Sequence, residues 1–269
     1  MELNKTSLDT LCSALTYVMG IPAPEKSNPE KNEELCAYAD KMLNGKKADR
    51  IFMFNPDAIA QWIYEKYPDL FAQTANYKDI EIPFRTVMPS VTPVCFGTMY
   101  TGAMPEVHGI LKYEKPVLKI DTIFDALIRA GKKGVIVASK KCSIGNIFLE
   151  RDMDYFLYDS PNQVNAKASE LIIKDEYDFY VVYNGNYDTA QHKNGPENVY
   201  SLSEIQANCR TFAMFNELIK THWTKHDTLV GFAMDHGCHE IDGGLGSHGL
   251  DMPEDLNITH FYKIYTKAE

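Results

Sequence analysis

Short apolar segments alternate with helical patterns along this chain, and this alternation constrains its fold more than any other feature. Residues 50–54 (RIFMF), 134–138 (GVIVA), 178–183 (DFYVVY) and 228–234 (TLVGFAM) resemble strands that are buried on both faces. Strands that alternate with helices form a largely parallel sheet covered on both sides. We therefore predict an α/β fold, a three-layer α/β/α sandwich around a largely parallel central sheet. Helical spacing of apolar residues predicts helices at 7–19, 32–43, 58–67, 121–131, 164–174 and 202–220.

The remaining segments predict a single domain. Residues 21–31 carry three prolines and are predicted to be a loop, and 258–265 (ITHFYKIY) is predicted to be a last strand at or near a sheet edge. No linker divides the chain, and 269 residues suffice for one large core. We therefore predict one catalytic domain over 1–269, with 1–45 as an N-terminal helical segment packed on it.

The charge balance excludes one class of partner. The chain has 27 Lys and Arg against 37 Asp and Glu, a net charge of −10, and no cluster of basic residues. Nucleic-acid-binding proteins usually carry a basic face, so binding to a nucleic-acid duplex is not expected. An anionic substrate would need a local reversal of charge, which a bound dication supplies.

Cysteine usage and the N-terminus predict a cytoplasmic protein. The six cysteines are scattered and form no CxxC motif. The first 20 residues lack the basic start and long apolar run of a signal peptide. No segment approaches the 18 apolar residues of a membrane span. We expect reduced thiols and no membrane partner.

Metal-type ligands follow several of the predicted strands, where the active sites of such sheets lie. Asp57 comes shortly after the 50–54 strand, although an Asp there could simply cap the next helix. Asp188 and His192 follow the 178–183 strand at i and i+4, which places both on one side of a helical turn. A capped loop with a surface histidine would explain this pair equally well.

Two further candidates lie near the end of the chain. Asp235 and His236 directly follow the 228–234 strand, where a buried carboxylate needs a partner. His248 lies between glycines in GGLGSHGL, and His239 competes with it for the same role. Together these positions predict a pair of divalent cations that would hold a phosphate between them.

A candidate nucleophile lies in residues 86–110 (TVMPSVTPVCFGTMYTGAMPEVHGI). Thr92 precedes Pro93 at the predicted start of a helix that continues to Tyr100, where free backbone N–H groups favour an anion. A metal ion can activate such a weakly acidic hydroxyl. Thr92 could instead only cap the helix, and Ser90 competes for either role.

These segments resemble the alkaline phosphatase superfamily, and most closely its nucleotide pyrophosphatase/phosphodiesterase-like branch. The nucleophile segment is similar to that branch's pattern of a Thr followed by a helix ending in T-G-x-x-P-E-x-H-G-I, and the spacing to Thr101 fits Thr92 but not Ser90. The D-x-x-x-H pair, the D-H-G motif and the late histidine follow in the family's order. The resemblance covers residues 48–265.

The resemblance implies a set of site residues. One metal would be held by Asp188, His192 and His248. The other would be held by Asp57, Asp235, His236 and the Thr92 oxygen. Three histidines favour Zn²⁺, and Mn²⁺ is the alternative.

The chain departs from the family's pattern in three respects. The branch has an Asn about twenty residues after the nucleophile, and here Tyr113 occupies that region, so we expect Tyr113 to bind substrate. The chain is short, with little room for a substrate-covering cap. The D-H-G motif is followed by Cys238-His239 rather than by an apolar residue.

The resemblance implies a two-metal phosphoester hydrolase that forms a covalent phospho-threonine at Thr92 and acts on a small phosphorylated substrate, as a phosphodiesterase or nucleotide pyrophosphatase. A phosphomonoesterase or phosphonate hydrolase would use the same site. A protein of another class, which binds phosphate compounds through metals without turnover, remains an alternative. The pocket wall is expected from 139–160 and from the loop after His108.

Overall fold

The computed structural model describes residues 1–268, which form an eight-stranded mixed sheet with helices on both faces. The strand order is β1-β3-β10-β7-β2-β6-β4-β5, and β10 runs antiparallel to both its neighbours while the other seven strands run parallel. The predicted three-layer α/β/α fold is therefore confirmed. The strands are Thr6–Ser7 (β1), Arg50–Pro56 (β2), Ile80–Arg85 (β3), Gly134–Ser139 (β4), Asp154–Tyr158 (β5), Phe179–Asn184 (β6), Thr228–Phe232 (β7) and Asn257–Tyr265 (β10).

The helices predicted from the sequence are present to within a few residues at their ends, and the structure adds the short helices α5, α7, α9 and α11. A separate hairpin, β8 (His239–Ile241) with β9 (Leu245–Ser247), carries the glycine-rich loop, and a 3-10 helix covers Pro68–Tyr77. The α-helices are Thr10–Met19 (α1), Glu33–Met42 (α2), Gln61–Lys66 (α3), Thr92–Thr101 (α4), Pro105–His108 (α5), Ile123–Arg129 (α6), Ser143–Ile147 (α7), Pro161–Lys174 (α8), Asn186–Asn194 (α9), Val199–His222 (α10) and Pro253–Leu256 (α11).

The centre of the sheet is the core of the molecule. Every residue of β2, β6 and β7 is buried, as expected for strands covered by helices on both faces. Phe52 and Phe54 of β2 pack against Phe215 of α10, with ring centroids 5.2 and 5.6 Å apart. The carboxyl ends of these three strands lie at the same end of the sheet, and most of the predicted ligands follow the strands there.

The predicted position of the last strand is wrong. β10 lies inside the sheet, between β3 and β7, rather than at or near an edge. Its outer neighbours were not recognised because β3 contains Pro83 and alternates exposed with buried residues, while β1 has only two residues. Pro83 cannot donate a ladder hydrogen bond, which is tolerable beside the short β1. β5 also went unrecognised, within the segment assigned only to the pocket wall.

Two further findings concern membrane-spanning helices and the cysteines. No helix among the described residues is long and apolar enough to cross a membrane. All six cysteines are unpaired, and five of them are buried.

Candidate active site

The structure brings the six Asp and His residues among the seven predicted metal ligands together in two groups of three. Asp188, His192 and His248 form the first group, and Asp57, Asp235 and His236 form the second. Within each group the potential ligand atoms all lie within 4.8 Å of one another. The two groups are adjacent, since the ring centroids of His236 and His248 lie 4.1 Å apart with an interplanar angle of 30°.

The first group, hereafter the Asp188 group, is built from α9 and the loop after β9. Asp188 and His192 lie one turn apart on α9, and Nε2 of His192 is 3.2 Å from Oδ1 of Asp188. His248 completes the group, with its Nε2 3.4 Å from the same carboxylate oxygen and 3.1 Å from His192 Nε2. The i, i+4 pair is therefore part of a built cluster rather than a surface turn.

The second group, hereafter the Asp57 group, is fully buried at the ends of β2 and β7. Nε2 of His236 lies 3.3 Å from Oδ1 of Asp57 and 3.4 Å from Oδ2 of Asp235. Asp57 is not a helix cap, because α3 begins only at Gln61 and its N-cap is Ala60. The competing structural explanation for Asp57 is thereby excluded.

The buried carboxylates of the Asp57 group are half satisfied. Oδ2 of Asp57 accepts a hydrogen bond from the Tyr183 hydroxyl, and Oδ1 of Asp235 accepts one from the backbone N–H of Ala58 at 3.2 Å. The other oxygen of each carboxylate has no hydrogen-bond partner among the described residues. Both unpartnered oxygens face His236 Nε2. Unpartnered buried carboxylate oxygens are costly, and a cation bound between them would remove that cost.

All three histidines are oriented in the same way. Nδ1 of His192 contacts the carbonyl of Gly246 at 2.9 Å, Nδ1 of His248 contacts that of Ser90 at 3.0 Å, and Nδ1 of His236 contacts that of Gly237 at 2.9 Å. A carbonyl only accepts, so each Nδ1 carries a proton, and Nε2 is the ring nitrogen that a metal ion could use in place of a proton. This is the arrangement that metal-ligating histidines adopt. The donor set and its orientation therefore fit a pair of divalent cations.

Electrostatics in the Asp57 group reflect buried like charges. Burial, followed by repulsion from Asp235 and Asp188, raises the pKa of Asp57 well above its ordinary value. Burial and the nearby Asp188 raise the pKa of Asp235 to about 7. Burial and the neighbouring His248 lower the pKa of His236 to about 3, so its ring is neutral. A dication would reverse the penalty on the two carboxylates.

The Asp188 group has the opposite balance. Burial alone would raise the pKa of Asp188, but hydrogen bonds with His192 and His248 outweigh it and hold that pKa below its usual range. The Asp188 carboxylate raises the pKa of His192, and for His248 it outweighs the lowering effect of burial. A cation would therefore compete with protons for these two histidines.

Thr92 lies beside the Asp57 group. It is the first residue of α4, with Val91 at the N-cap, so it does not merely cap the helix with its side chain. Its Oγ1 is 3.3 Å from His236 Nε2, and only 3% of the residue is exposed. Ser90 is placed differently: its hydroxyl is 3.5 Å from the Leu250 carbonyl, and its own carbonyl holds His248.

His239 does not belong to either metal-type group. Its Nδ1 lies 2.7 Å from Oδ1 of the buried Asp255, and Oδ2 of Asp255 accepts from the backbone N–H of Leu250 at 2.8 Å. The backbone carbonyl of Asp255 accepts a hydrogen bond from the backbone N–H of Gly237. His239 and Asp255 therefore tie the loop of His236 to the loop of His248.

A cavity of about 780 Å³ opens onto this site. Asp57, Thr92 and Asp188 line its floor, and residues of the predicted wall, 139–143 and 159, line one side. Tyr113 also lines it, but the tyrosine is 60% exposed and its hydroxyl has no hydrogen-bond partner among the described residues. Tyr113 is therefore free to contact a bound molecule at the mouth.

Sequence reasoning missed several residues of this site. Tyr183 holds Asp57, and Nε2 of Gln191 donates to Oδ1 of Asp188 at 3.0 Å. Three lysines without a carboxylate partner among the described residues also line the cavity: Lys115, Lys141 and Lys193. The i, i+3 spacing of Asp188 and Gln191 could have indicated the second contact, whereas the lysines are brought together only by the fold.

No protein-family model and no curated protein sequence matches this chain. Its structure is similar to that of murine ectonucleotide pyrophosphatase/phosphodiesterase 5, with a TM-score of 0.58 and 18% identity over 71% of this chain and 58% of that one. It is also similar to phosphonoacetate hydrolase from Sinorhizobium meliloti 1021 in complex with phosphonoformate, with a TM-score of 0.56 and 17% identity over 75% and 61%. The chain therefore shares the fold of these proteins, which is the fold that the resemblance to the alkaline phosphatase superfamily implies.

An inactive form of the murine protein, in complex with AMP, matches with a TM-score of 0.55 and 15% identity over 72% of this chain and 59% of that one. The chain thus aligns with about three fifths of the length of each of these proteins. At this identity the likeness shows the fold alone.

Proposed function

We propose that the chain is a two-metal phosphoester hydrolase with Thr92 as its nucleophile, of the phosphodiesterase or nucleotide pyrophosphatase type. One observation carries the proposal. Two adjacent groups of Asp and His side chains include one that lies against a threonine hydroxyl at the start of α4, and Asp57, Thr92 and Asp188 all line one cavity. Neither a purely structural role nor simple packing explains unpartnered buried carboxylate oxygens beside a hydroxyl.

The site residues of this chain alone would supply the protein ligands for both ions. The Asp188 group would hold one, and the Asp57 group with Thr92 Oγ1 would hold the other, with Zn²⁺ favoured by the histidines and Mn²⁺ as the alternative. When bound, such a pair lowers the pKa of the nucleophile and neutralises charge on the transferring phosphoryl group.

The chain's own groups would then carry the reaction. Thr92 Oγ1 would form a bond to phosphorus and give up its proton to solvent, while the bond from phosphorus to the leaving oxygen breaks and that oxygen takes up a proton from solvent. The backbone N–H groups at the start of the ten-residue α4 point towards the anion and stabilise it. Water then cleaves the phospho-threonine, releasing the phosphorylated product and restoring the hydroxyl.

The three unpaired cavity lysines support an anionic substrate. Lys115 and Lys141 lie together, since the Lys115 ammonium donates to the Lys141 carbonyl at 2.8 Å, and Lys193 directly follows the ligand His192. The cavity lining has four lysines and four acidic residues, so it lacks the excess of negative charge of the whole chain, and two bound dications would make it positive. It would attract a phosphorylated molecule to the site.

A second candidate, a phosphomonoesterase or phosphonate hydrolase, is favoured by one observation. The region in which the diesterase branch carries an Asn is occupied here by the exposed Tyr113, and the lysines could bind the extra negative charge of a dianion.

One comparison tests both candidates. The protein, loaded with Zn²⁺ or Mn²⁺, is assayed with bis(p-nitrophenyl) phosphate and with p-nitrophenyl phosphate, and phosphonoacetate is assayed for released phosphate. A higher kcat/KM for the diester supports the phosphodiesterase proposal. A higher value for the monoester or for phosphonoacetate supports the second candidate. Binding of all three without turnover contradicts a hydrolase and favours a metal-dependent binding protein.

A further inference from the structure

Among the described residues, Tyr183 donates the one side-chain hydrogen bond that Asp57 accepts. It lies near the end of β6 and is 6% exposed, and its hydroxyl donates to Oδ2 of Asp57. β2 and β6 pair in parallel with Asn55 opposite Tyr183, so the tyrosine ring stands beside the strand that leads into Asp57. The contact is thus set by strand register and not by a mobile loop.

The surroundings of Tyr183 keep its hydroxyl in place. Its ring packs edge-on against Phe96 of α4, with centroids 5.7 Å apart and an interplanar angle of 79°. On the other side, a Cβ at position 185 would lie 2.7 Å from the Tyr183 oxygen, so Gly185 provides the space that the hydroxyl occupies. Phe96 lies on α4 one helical turn after Thr92, so the Tyr183 ring also contacts the helix that carries the proposed nucleophile.

The two oxygens of Asp57 therefore have different environments. Oδ2 receives the Tyr183 hydroxyl, whereas Oδ1 has no hydrogen-bond partner among the described residues and lies 3.3 Å from His236 Nε2. Asp235 shows the same division, with Oδ1 held by the Ala58 N–H and Oδ2 unpartnered. Each of these two buried carboxylates therefore has one unpartnered oxygen, and both of those oxygens lie close to His236 Nε2.

We propose that Tyr183 is a positioning residue that makes Asp57 a one-oxygen ligand, holding Oδ2 away so that Oδ1 alone faces the ion shared with Asp235 and His236. This inference rests on the proposed two-metal site. Without the hydroxyl, Oδ2 is released, and the carboxylate is free to rotate away from the position at which Oδ1 meets Asp235 and His236. A hydrogen bond to a ligating carboxylate is a contact whose loss typically reduces metal affinity about 10–100-fold.

Tyr183→Phe is the direct test, because it removes the hydroxyl and keeps the ring that packs on Phe96. Tyr100→Phe is its matched control: Tyr100 is also buried, lies on α4, and donates its hydroxyl to Oδ1 of Asn55 on β2, the strand that leads into Asp57. Both variants lose one buried hydroxyl beside β2, but only one of the two hydroxyls touches a proposed ligand.

Zn²⁺ binding is measured by calorimetric titration of metal-free protein against a competing chelator, with thermal unfolding as a check on folding. In Tyr183→Phe we expect one of two binding events to weaken about 10–100-fold and the other to stay within about twofold. Tyr100→Phe should leave both events unchanged, even if its melting temperature falls as far. To assign the weakened event, His192→Ala is added to each protein, which leaves the Asp57 group as the intact one.

The outcomes separate this inference from the proposed function. If Tyr183→Phe binds both ions with wild-type affinity, the positioning role is wrong, even where the wild type hydrolyses esters. If its single event weakens in the His192→Ala background but no ester is cleaved by the wild type, the positioning role stands and the hydrolase proposal fails. Wild-type protein that binds no Zn²⁺ overturns both.

Discussion

Oγ1 of Thr92 lies 3.3 Å from Nε2 of His236, so the hydroxyl proposed as nucleophile meets the buried Asp57 group directly. Thr92→Ala removes that oxygen while keeping the start of α4. We expect it to lower kcat for the preferred ester at least ~10³-fold, as removal of a covalent nucleophile does in other hydrolases. Thr92→Ser keeps a hydroxyl and should retain part of the activity.

The control for this substitution is Ser90→Ala. The Ser90 hydroxyl makes only a 3.5 Å contact to the Leu250 carbonyl, whereas its backbone carbonyl, which any residue provides, holds His248. Ser90→Ala should therefore keep kcat within a few-fold of wild type. Steady-state assays of the three variants decide between the two hydroxyls, and full activity in Thr92→Ala would reject the mechanism.

Metal content should fall by one ion when the Asp188 group is broken. Asp188→Ala removes the carboxylate that both His192 and His248 contact, and leaves the Asp57 group intact. We expect two ions per chain in the wild type and one in the variant, counted by elemental analysis after dialysis. Asp159→Ala, which changes a carboxylate on the cavity rim, should still hold two. Equal counts in all three proteins would mean that Asp188 is not a ligand.

The metal-free protein should become less stable as the pH rises towards neutrality. Burial is the chief cause that raises the folded-state pKa of Asp235 to about 7, above the ordinary value of an aspartate. A carboxyl group with a raised folded-state pKa contributes stability that is present below about pH 4 and is lost as the pH rises through about 7. Chemical denaturation in chelator across this range measures the loss.

Two comparisons attribute that pH dependence to the site. Asp235→Asn, which cannot ionise, should show a flatter profile than the wild type between about pH 4 and 7. Saturating Zn²⁺ should reverse the trend in the wild type, because the ion binds the ionised carboxylate and stabilises the folded state. The assignment to Asp235 would be wrong if the metal-free wild type and Asp235→Asn showed the same dependence of stability on pH.

Gly246→Ala should damage the Asp188 group through packing alone. A Cβ at this position would lie 1.7 Å from Oε1 of Gln191 and 2.7 Å from its backbone carbonyl. Since the Gly246 carbonyl holds Nδ1 of His192, displacing this loop should cost roughly 1–3 kcal/mol in unfolding free energy and weaken Zn²⁺ binding.

Gly244→Ala is the comparison for this packing effect. Its Cβ would meet nothing within 4 Å, although its φ of +73° makes an alanine there strained. It should therefore lose stability with Zn²⁺ affinity close to that of the wild type. Similar Zn²⁺ affinity in both glycine variants would show that the contact with Gln191 does not matter.

The sequence predicted the parts of the structure that depend on local pattern. Fully buried strands such as β2 and β7 reveal themselves as apolar runs, and Asp57 and Asp235 stand out because they are charged residues at the ends of such runs. The i, i+4 spacing of Asp188 and His192 survives in α9. The choice of Thr92 over Ser90 rested on the spacing within the family's motif rather than on any property of the two residues.

What depends on distant packing escaped prediction. β3 alternates exposed and buried residues around Pro83, so neither it nor the inner position of β10 could be read from an apolar run. Tyr183 looks like one more aromatic residue of a buried strand until β2 is placed beside it. The cavity lysines come from three separate segments, and only the folded chain brings them to one wall.

Each ligand group joins residues that are far apart along the sequence, and this separation has a consequence for biosynthesis. Asp57 meets its partners only after residues 235 and 236 have been made, and Asp188 and His192 must wait for His248. A nascent chain that stops short of these positions offers each ion an incomplete set of donors, even though the central strands β2, β6 and β4 are already available to pair. Loading with metal would therefore be a late event in maturation, and it would discriminate a finished molecule from a truncated one.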